Sequence, residues 1–268
     1  MIDYYEMSPD WRKQSFIRKF WILDNSSETL DTKYALPNTC FTLAIISGNG
    51  LIIDFQDRTS HMTAGSYLVG LLTKKVGVTV LPNSRAFMVQ LNPWAATLLS
   101  KCSYLELVNQ FSPLIEINRA LASAFAKIYN SDYKITRQGI QNALENYLYP
   151  TASSLFIEGC FHHFNSSPFI HPFKLQTLSS ATGYSLRYIE KKFRQHIGVA
   201  PKSAFNINRI RKVVDELAIR DNNELSLTSI SYKYGYSDQA HFTKSYSSIM
   251  NSPPSRFILS HYILPFGV

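Results

Sequence analysis

The chain has 268 residues, 45% of them hydrophobic and 17% charged, which supplies a real core and excludes a disordered or low-complexity protein. No apolar run approaches the ~18–20 residues that span a bilayer, and the start, Met1-Ile2-Asp3-Tyr4-Tyr5-Glu6, lacks the basic and apolar segments of a secretory signal. The net charge of +8 is unevenly placed: residues 165–268 hold 13 Lys/Arg against 6 Asp/Glu, whereas residues 1–164 hold 14 against 13. A polyanionic partner rewards such a basic third through counterion release.

The N-terminal half reads as β-rich to about residue 92 and helical after it. Residues 9–23 carry Trp11, Phe16, Ile17, Phe20 and Trp21 with Arg12, Lys13, Arg18 and Lys19 between them, which suits a short helix running into a strand with core aromatics. Asn25-Ser26-Ser27 is a turn. Residues 41–46 and 51–55 are apolar and flank Gly48-Asn49-Gly50, which predicts a hairpin. Residues 66–72, 76–81 and 86–91 follow as strands, punctuated by Gly65, Gly77 and Pro82-Asn83-Ser84. Strands at this spacing make a small sheet or a partly closed barrel able to enclose a small ligand.

After Pro93, two short apolar segments broken near Ser100 run to Phe111. Helical spacing then covers residues 114–129 (Ile117, Leu121, Phe125, Ile128), 136–148 (Ile140, Leu144, Tyr147, Leu148) and 152–164. These helices serve equally as a dimer interface or as core. Asn165-Ser166-Ser167-Pro168 reads as a linker, which places the domain boundary between residues 164 and 165.

Catalytic and metal chemistry find few residues here. A metal site needs several converging His and carboxylate ligands, and the β region offers only His61 with Asp54 and Asp57. His162 and His163 are adjacent on a helix, so their side chains diverge. The three cysteines, Cys40, Cys102 and Cys160, are scattered without metal-ligand spacing, which argues against a disulfide framework or structural zinc and for a reducing cytoplasm. No GxSxG, P-loop or Gly-rich dinucleotide turn occurs.

The C-terminal half repeats itself. Residues 175–193 and 227–246 align when Gly183 is set on Gly235, 52 residues on, which also pairs Leu178 with Ile230, Ser179 with Ser231, Tyr184 with Tyr236 and Ser185 with Ser237. Each copy predicts a scaffold helix (Leu175, Leu178 and Ala181; Leu227, Ile230 and Tyr234), a glycine turn and a second helix. Ser185 caps the second helix of the first copy, and Ser237 or Asp238 that of the second. Leu186, Ile189, Phe193 and Ile197 face the core in one, and Phe242, Tyr246 and Ile249 in the other. Arg187, Glu190, Lys191 and Arg194 then fall together on the outer face at i, i+3, i+4 and i+7, as a major-groove helix requires. Gln239, Ala240, His241, Thr243 and Lys244 are the outward candidates of the second copy. Ser185, Tyr188, Lys192 and Ser237 are candidates for the DNA backbone. A connecting helix with Phe205, Ile207, Ile210, Val214 and Leu217 inward and Arg209, Arg211 and Lys212 exposed fixes the separation of the two readers. DNA bending makes up any mismatch with the ~34 Å groove repeat.

Residues 168–262 resemble the DNA-binding domain of AraC/XylS-type transcription regulators. The resemblance is carried by Gly183-Tyr184-Ser185, Tyr188-Ile189, Phe193-Arg194, Gly198-Val199-Ala200-Pro201, Arg209-Ile210, Gly235-Tyr236-Ser237-Asp238-Gln239, Phe242 and Tyr246. It implies that Arg187, Glu190 and Lys191 face bases in the first unit and Ala240, His241, Thr243 and Lys244 in the second. Ser179 and Ser231 stand where the family has a small Ala, Val213 where an Ala is common, and Asn251-Ser252-Pro253-Pro254 replaces a second Gly-x-x-Pro. Asn tolerates the left-handed conformation next best to Gly, so that turn should survive. The N-terminal half is similar to a sensor-like domain of unknown function through Trp21, Leu36-Pro37-Asn38, Val76-Gly77-Val78, Phe87 and Asn92-Pro93.

The expected fold is therefore α+β, with a sensory or dimerisation domain over 1–164 and an all-α domain with two helix-turn-helix units over 165–268. The expected function is that of a bacterial cytoplasmic transcription regulator, not an enzyme, with no cofactor and no metal. Double-stranded promoter DNA is its partner, and RNA polymerase, a small-molecule effector and a second copy of the chain are further candidates; a membrane is not. The alternative is a small-molecule enzyme or carrier with an appended DNA-binding tail, which requires a catalytic cluster in residues 1–164.

Overall fold

The N-terminal strands are β1 (Asp3–Met7), β2 (Ile17–Asn25), β3 (Asp31–Ala35), β4 (Phe41–Ser47), β5 (Leu51–Asp54), β6 (Thr59–Met62), β7 (Gly65–Val69), β8 (Val76–Val80), β9 (Ser84–Leu91) and β10 (Phe111–Pro113). They belong to a computed structural model that describes residues 3–9, 16–55, 57–99, 103–128, 132–166, 173–219 and 226–263. One sheet has the order β1-β2-β9-β4-β7-β10. The other contains β3-β8-β5-β6 and gains one further strand, described below, on the outer edge of β3.

The first sheet is buried on both faces, which is why β4 and β9 are nearly continuous apolar runs. Phe20, Leu43, Phe87 and Val89 face one core, which extends through all the helices. Ala44, Ile46, Ala86 and Met88 face a second core between the two sheets, with Leu51, Ile53, Val78 and Val80 opposite. The second sheet turns its other face outward, where Thr32 and Thr79 share a side-chain hydrogen bond.

One expectation fails at Gly48-Asn49-Gly50. The turn exists, with Gly48 and Gly50 at positive φ, but β4 and β5 do not pair. β4 lies between β7 and β9, and β5 between β8 and β6, so the turn carries the chain from one sheet to the other. A strand apolar on both faces must pack between two layers, so β4 takes a central place with β7 and β9 beside it while the following strand goes to the facing sheet.

Two 3-10 turns, Ala95–Leu98 and Tyr104–Leu107, lead to α1 (Leu114–Ile117), α2 (Arg119–Ile128), α3 (Tyr133–Tyr147) and α4 (Ala152–Ser166). In the second turn Tyr104 and Leu107 are buried and Leu105 is exposed. Asn118 separates α1 from α2 in an extended conformation and accepts a hydrogen bond from the Leu121 N–H. The helix expected just before β2, with Trp11, and Cys102 lie outside the described residues.

The C-terminal half is α5 (Leu175–Thr182), α6 (Leu186–His196), α7 (Pro201–Ile219), α8 (Leu227–Lys233) and α9 (Gln239–Met250). It is not all-α. After two more 3-10 turns the chain forms β11 (Tyr262–Ile263), parallel to β3 and on the open edge of the second sheet.

Candidate nucleic-acid interface

Each helix pair is set by local chemistry. α5 ends at Gly183, whose φ of +74° lets its N–H reach the Ser179 carbonyl. Ser185 is extended and its Oγ accepts from the Tyr188 N–H, which starts α6. In the second copy Gly235 has φ +70°, and the N-cap is Asp238 rather than Ser237. The Asp238 carboxylate accepts from the His241 N–H at 2.7 Å, and that bond, with a second from the Ser237 hydroxyl, holds its pKa below the usual carboxylate value. Asn251 closes α9 at φ +49°, as expected of the residue that replaces glycine there.

The outer face of α6 is clear. Arg187, Glu190, Lys191 and Arg194 are all exposed, and none engages another described residue by hydrogen bond or ion pair. Ile189 and Phe193 behind them are fully buried. On α9, Gln239, Ala240, His241 and Lys244 are exposed and Thr243 is half-buried, with Phe242 and Tyr246 behind them fully buried. Gln239 Oε1 accepts from the Thr228 hydroxyl at 2.9 Å. His241 Nδ1 lies 3.1 Å from Ser237 Oγ, and its ring stands edge-on to Tyr236.

The backbone candidates divide. Ser185 and Ser237 are exposed. Tyr188 instead stacks on Tyr184 at 4.6 Å and meets Phe156 of α4 edge-on. Lys192 turns the same way, its Nζ donating to Ser153 Oγ at 3.2 Å. Both side chains brace α6 against α4. Leu186, expected to face the core, is exposed because it sits in the first turn beside the Gly183 bend. Ala181 likewise is exposed, while Leu178 carries the inner face of α5.

The connecting helix departs most from expectation. Arg209 is buried, with its guanidinium 3.9 Å from the Tyr236 ring centre and hydrogen-bonded to Asn206 Oδ1. Burial lowers its pKa. Arg209 falls one turn from Phe205 and from Val213, both buried, so it belongs to the apolar stripe and welds α7 to the second glycine turn. That periodicity was visible in the sequence. Arg211 and Lys212 are half-buried, and Arg211 pairs with Asp215 at 2.8 Å.

A cavity of about 740 Å³, including its mouth, lies between the two sheets. Its walls are apolar apart from Asn38, Thr42, Gln90, Arg211 and the indole of Trp21, whose buried N–H has no hydrogen-bond partner. Among the described residues, no His, Cys, Asp or Glu lines it. Two lining residues, Arg211 and Ile263, come from the C-terminal half. Beside it, Lys19 is buried and 3.5 Å from Glu6, and burial pushes its pKa down to about 8. Among the described residues no three His, Cys, Asp or Glu side chains come together as metal ligands, and no helix is long and apolar enough to cross a membrane.

With this geometry in hand, residues 178–259 match the family described as "Helix-turn-helix domain". Residues 178–259 form a DNA-binding helix-turn-helix domain of the AraC type. The chain is also 26% identical over 84 residues to the "Probable transcription factor PqrA" of Proteus vulgaris, a match that covers 31% of this chain and 66%, just under two thirds, of that relative. Among solved structures, ToxT from Vibrio cholerae with a bound unsaturated fatty acid is 13% identical over 98% of this chain and 95% of its own, at a TM-score of 0.49. The C-terminal domain of AraT, a response regulator from Geobacillus stearothermophilus, is 18% identical over 44% of this chain and 95% of its own, at a TM-score of 0.37. The matched residues begin within α5 and end at residue 259, before β11.

Proposed function

We propose that this chain regulates transcription from the cytoplasm by binding double-stranded promoter DNA, with α6 and α9 in two adjacent major grooves. The observation that carries the reading is the pair of outward faces, exposed on Arg187, Glu190, Lys191 and Arg194 and on Gln239, Ala240, His241 and Lys244 with Thr243 half-buried beside them, each backed by a fully buried aromatic anchor. The surplus of Lys/Arg over Asp/Glu in residues 165–268 supports it. By resemblance, RNA polymerase and a second copy of the chain join this scheme. The test is binding to a duplex selected from random sequence, measured across salt concentrations. Log affinity should fall steeply and linearly with log salt, and a flat dependence would contradict DNA as the partner.

The cavity is the effector site of this reading. Its apolar walls and its polar groups, the Trp21 indole N–H, Gln90 and Arg211, suit an apolar small molecule with a hydrogen-bond-accepting or acidic head. The absence of His, Cys and carboxylates from its lining favours binding over catalysis. A thermal-shift panel on the full chain, comparing long-chain acids with matched alcohols and with sugars, checks the class. The acids should raise Tm most, and Arg211→Met should remove that advantage. A response to sugars alone would refute it.

A further inference from the structure

Beyond the matched residues, the chain is tied to the N-terminal sheet by backbone pairing and side-chain contacts. Tyr262 pairs with Tyr34 and Ile263 with Ala35, in parallel, on the edge of β3. Lys33 Nζ donates to the Ser260 carbonyl at 2.8 Å. The Lys75 N–H donates to the Ile249 carbonyl at the end of α9, and its ammonium lies 4.5 Å from the Tyr34 ring centre and 5.9 Å from that of Tyr262. Phe257 stacks on Tyr262 from the other side. Tyr262 and Ile263 are both buried. Without the tail, β3 would be an open sheet edge.

The first unit is held separately. Phe156 of α4 meets Tyr184 and Tyr188 edge-on, and Gly198, beyond the end of α6, lies where a Cβ would collide with the Tyr104 carbonyl of the 3-10 turn. Both readers are thus clamped from behind. All the candidate base-facing side chains of α6 and α9 stay at the surface except Thr243, which is half-buried. These contacts therefore leave the candidate base-facing side chains uncovered.

We propose that the Tyr262–Ile263 strand is a latch, which fixes the second recognition unit on the N-terminal domain in the orientation that reads DNA. The latch pre-organises α9 relative to α6, so a paired-groove site is met without first ordering a loose unit. Ile263 is also part of the cavity wall, so an occupant of the cavity touches the latch. Cavity binding and DNA binding are then linked reciprocally through two residues that lie outside the matched domain.

The inference rests on the DNA-reading function, and the experiment separates the two. The wild-type full chain is first used to select a paired-groove duplex from random sequence; if it selects none, the DNA reading fails. With that duplex, Tyr262→Ala should weaken binding about tenfold while leaving affinity for an isolated half-site unchanged. A second variant, Tyr34→Cys with Tyr262→Cys, joins residues in register across the parallel pair. Once oxidised, it should bind the paired site at least as tightly as wild type. The latch is overturned if Tyr262→Ala binds the paired site with wild-type or greater affinity, or loses half-site binding equally. It is also overturned if the oxidised double variant loses DNA binding and regains it on reduction, because the docked state would then be inhibitory.

Discussion

Lys191 and Lys244 occupy the same level of their two helices, each exposed and two residues before a fully buried aromatic, Phe193 and Tyr246. On the proposed reading, a lysine placed there would contact guanine edges or phosphate. Lys191→Ala and Lys244→Ala should each weaken operator binding roughly tenfold, or ~1.4 kcal/mol, without changing Tm. Unchanged affinity in both, at fixed salt, would remove the base-facing assignment. The units are unequal in charge, since α6 presents Arg187, Glu190, Lys191 and Arg194 where α9 presents one lysine. The larger loss should therefore come from Lys191.

Arg209 shows how far residue chemistry can depart from residue type. A charged side chain read as exposed is instead packed between Phe205 and Tyr236. Arg209→Ala removes that packing and should cost about 2 kcal/mol, seen as a lowered denaturant midpoint. His196 offers a pH-dependent counterpart. At the end of α6 its ring is partly buried, its Nε2 has no partner, and burial with the nearby Lys192 charge pushes its pKa down to about 4 from 6.5. The folded state therefore favours neutral His196. The contribution of neutral His196 to stability is full above pH 6.5 and is lost progressively as the pH drops towards 4. His196→Gln should flatten that slope in urea titrations between pH 4 and 7; an unchanged slope would place the acid sensitivity elsewhere.

At the scale of elements, the glycine turns govern. Gly235 at φ +70° lets α8 turn into α9, and a Cβ there meets the left-handed penalty of roughly 1–2 kcal/mol. Gly235→Ala should lower stability by that amount, whereas Asn251→Gly, at φ +49°, should be neutral or slightly stabilising. Equal effects of the two would show that the loop geometry is not what holds the second unit. These turns were legible because they are local: glycine spacing, a capping serine and a helical apolar stripe all lie within twenty residues of one another. The sheet pairing was not. Gly48-Asn49-Gly50 reports a bend but not the sheet to which the next strand belongs, and the apolar run of β4 was the better clue to a central strand. β3 escaped notice because its alternating polar residues carry little signal, and β11 because two residues paired with Tyr34 and Ala35 leave no local pattern.

Across the whole molecule, the basic excess of residues 165–268 lies on the domain whose recognition helices stand clear. The core that begins on one face of the first sheet continues through Phe161 and Phe164 of α4 to Phe193 and Phe205, so the AraC-type domain is packed into the rest of the chain. Composition could announce the charge partition but not this continuity, which depends on aromatic contacts across the stretch read as a linker. Nor could it announce the cavity, whose wall takes Arg211 and Ile263 from far along the chain. The central claim, that one chain reads two adjacent grooves, is tested most directly by hydroxyl-radical footprinting of the full chain on its selected duplex. Two protected patches on one face of the DNA, about 10 base pairs apart, are predicted. A single patch, or protection that is continuous around the duplex, would contradict it.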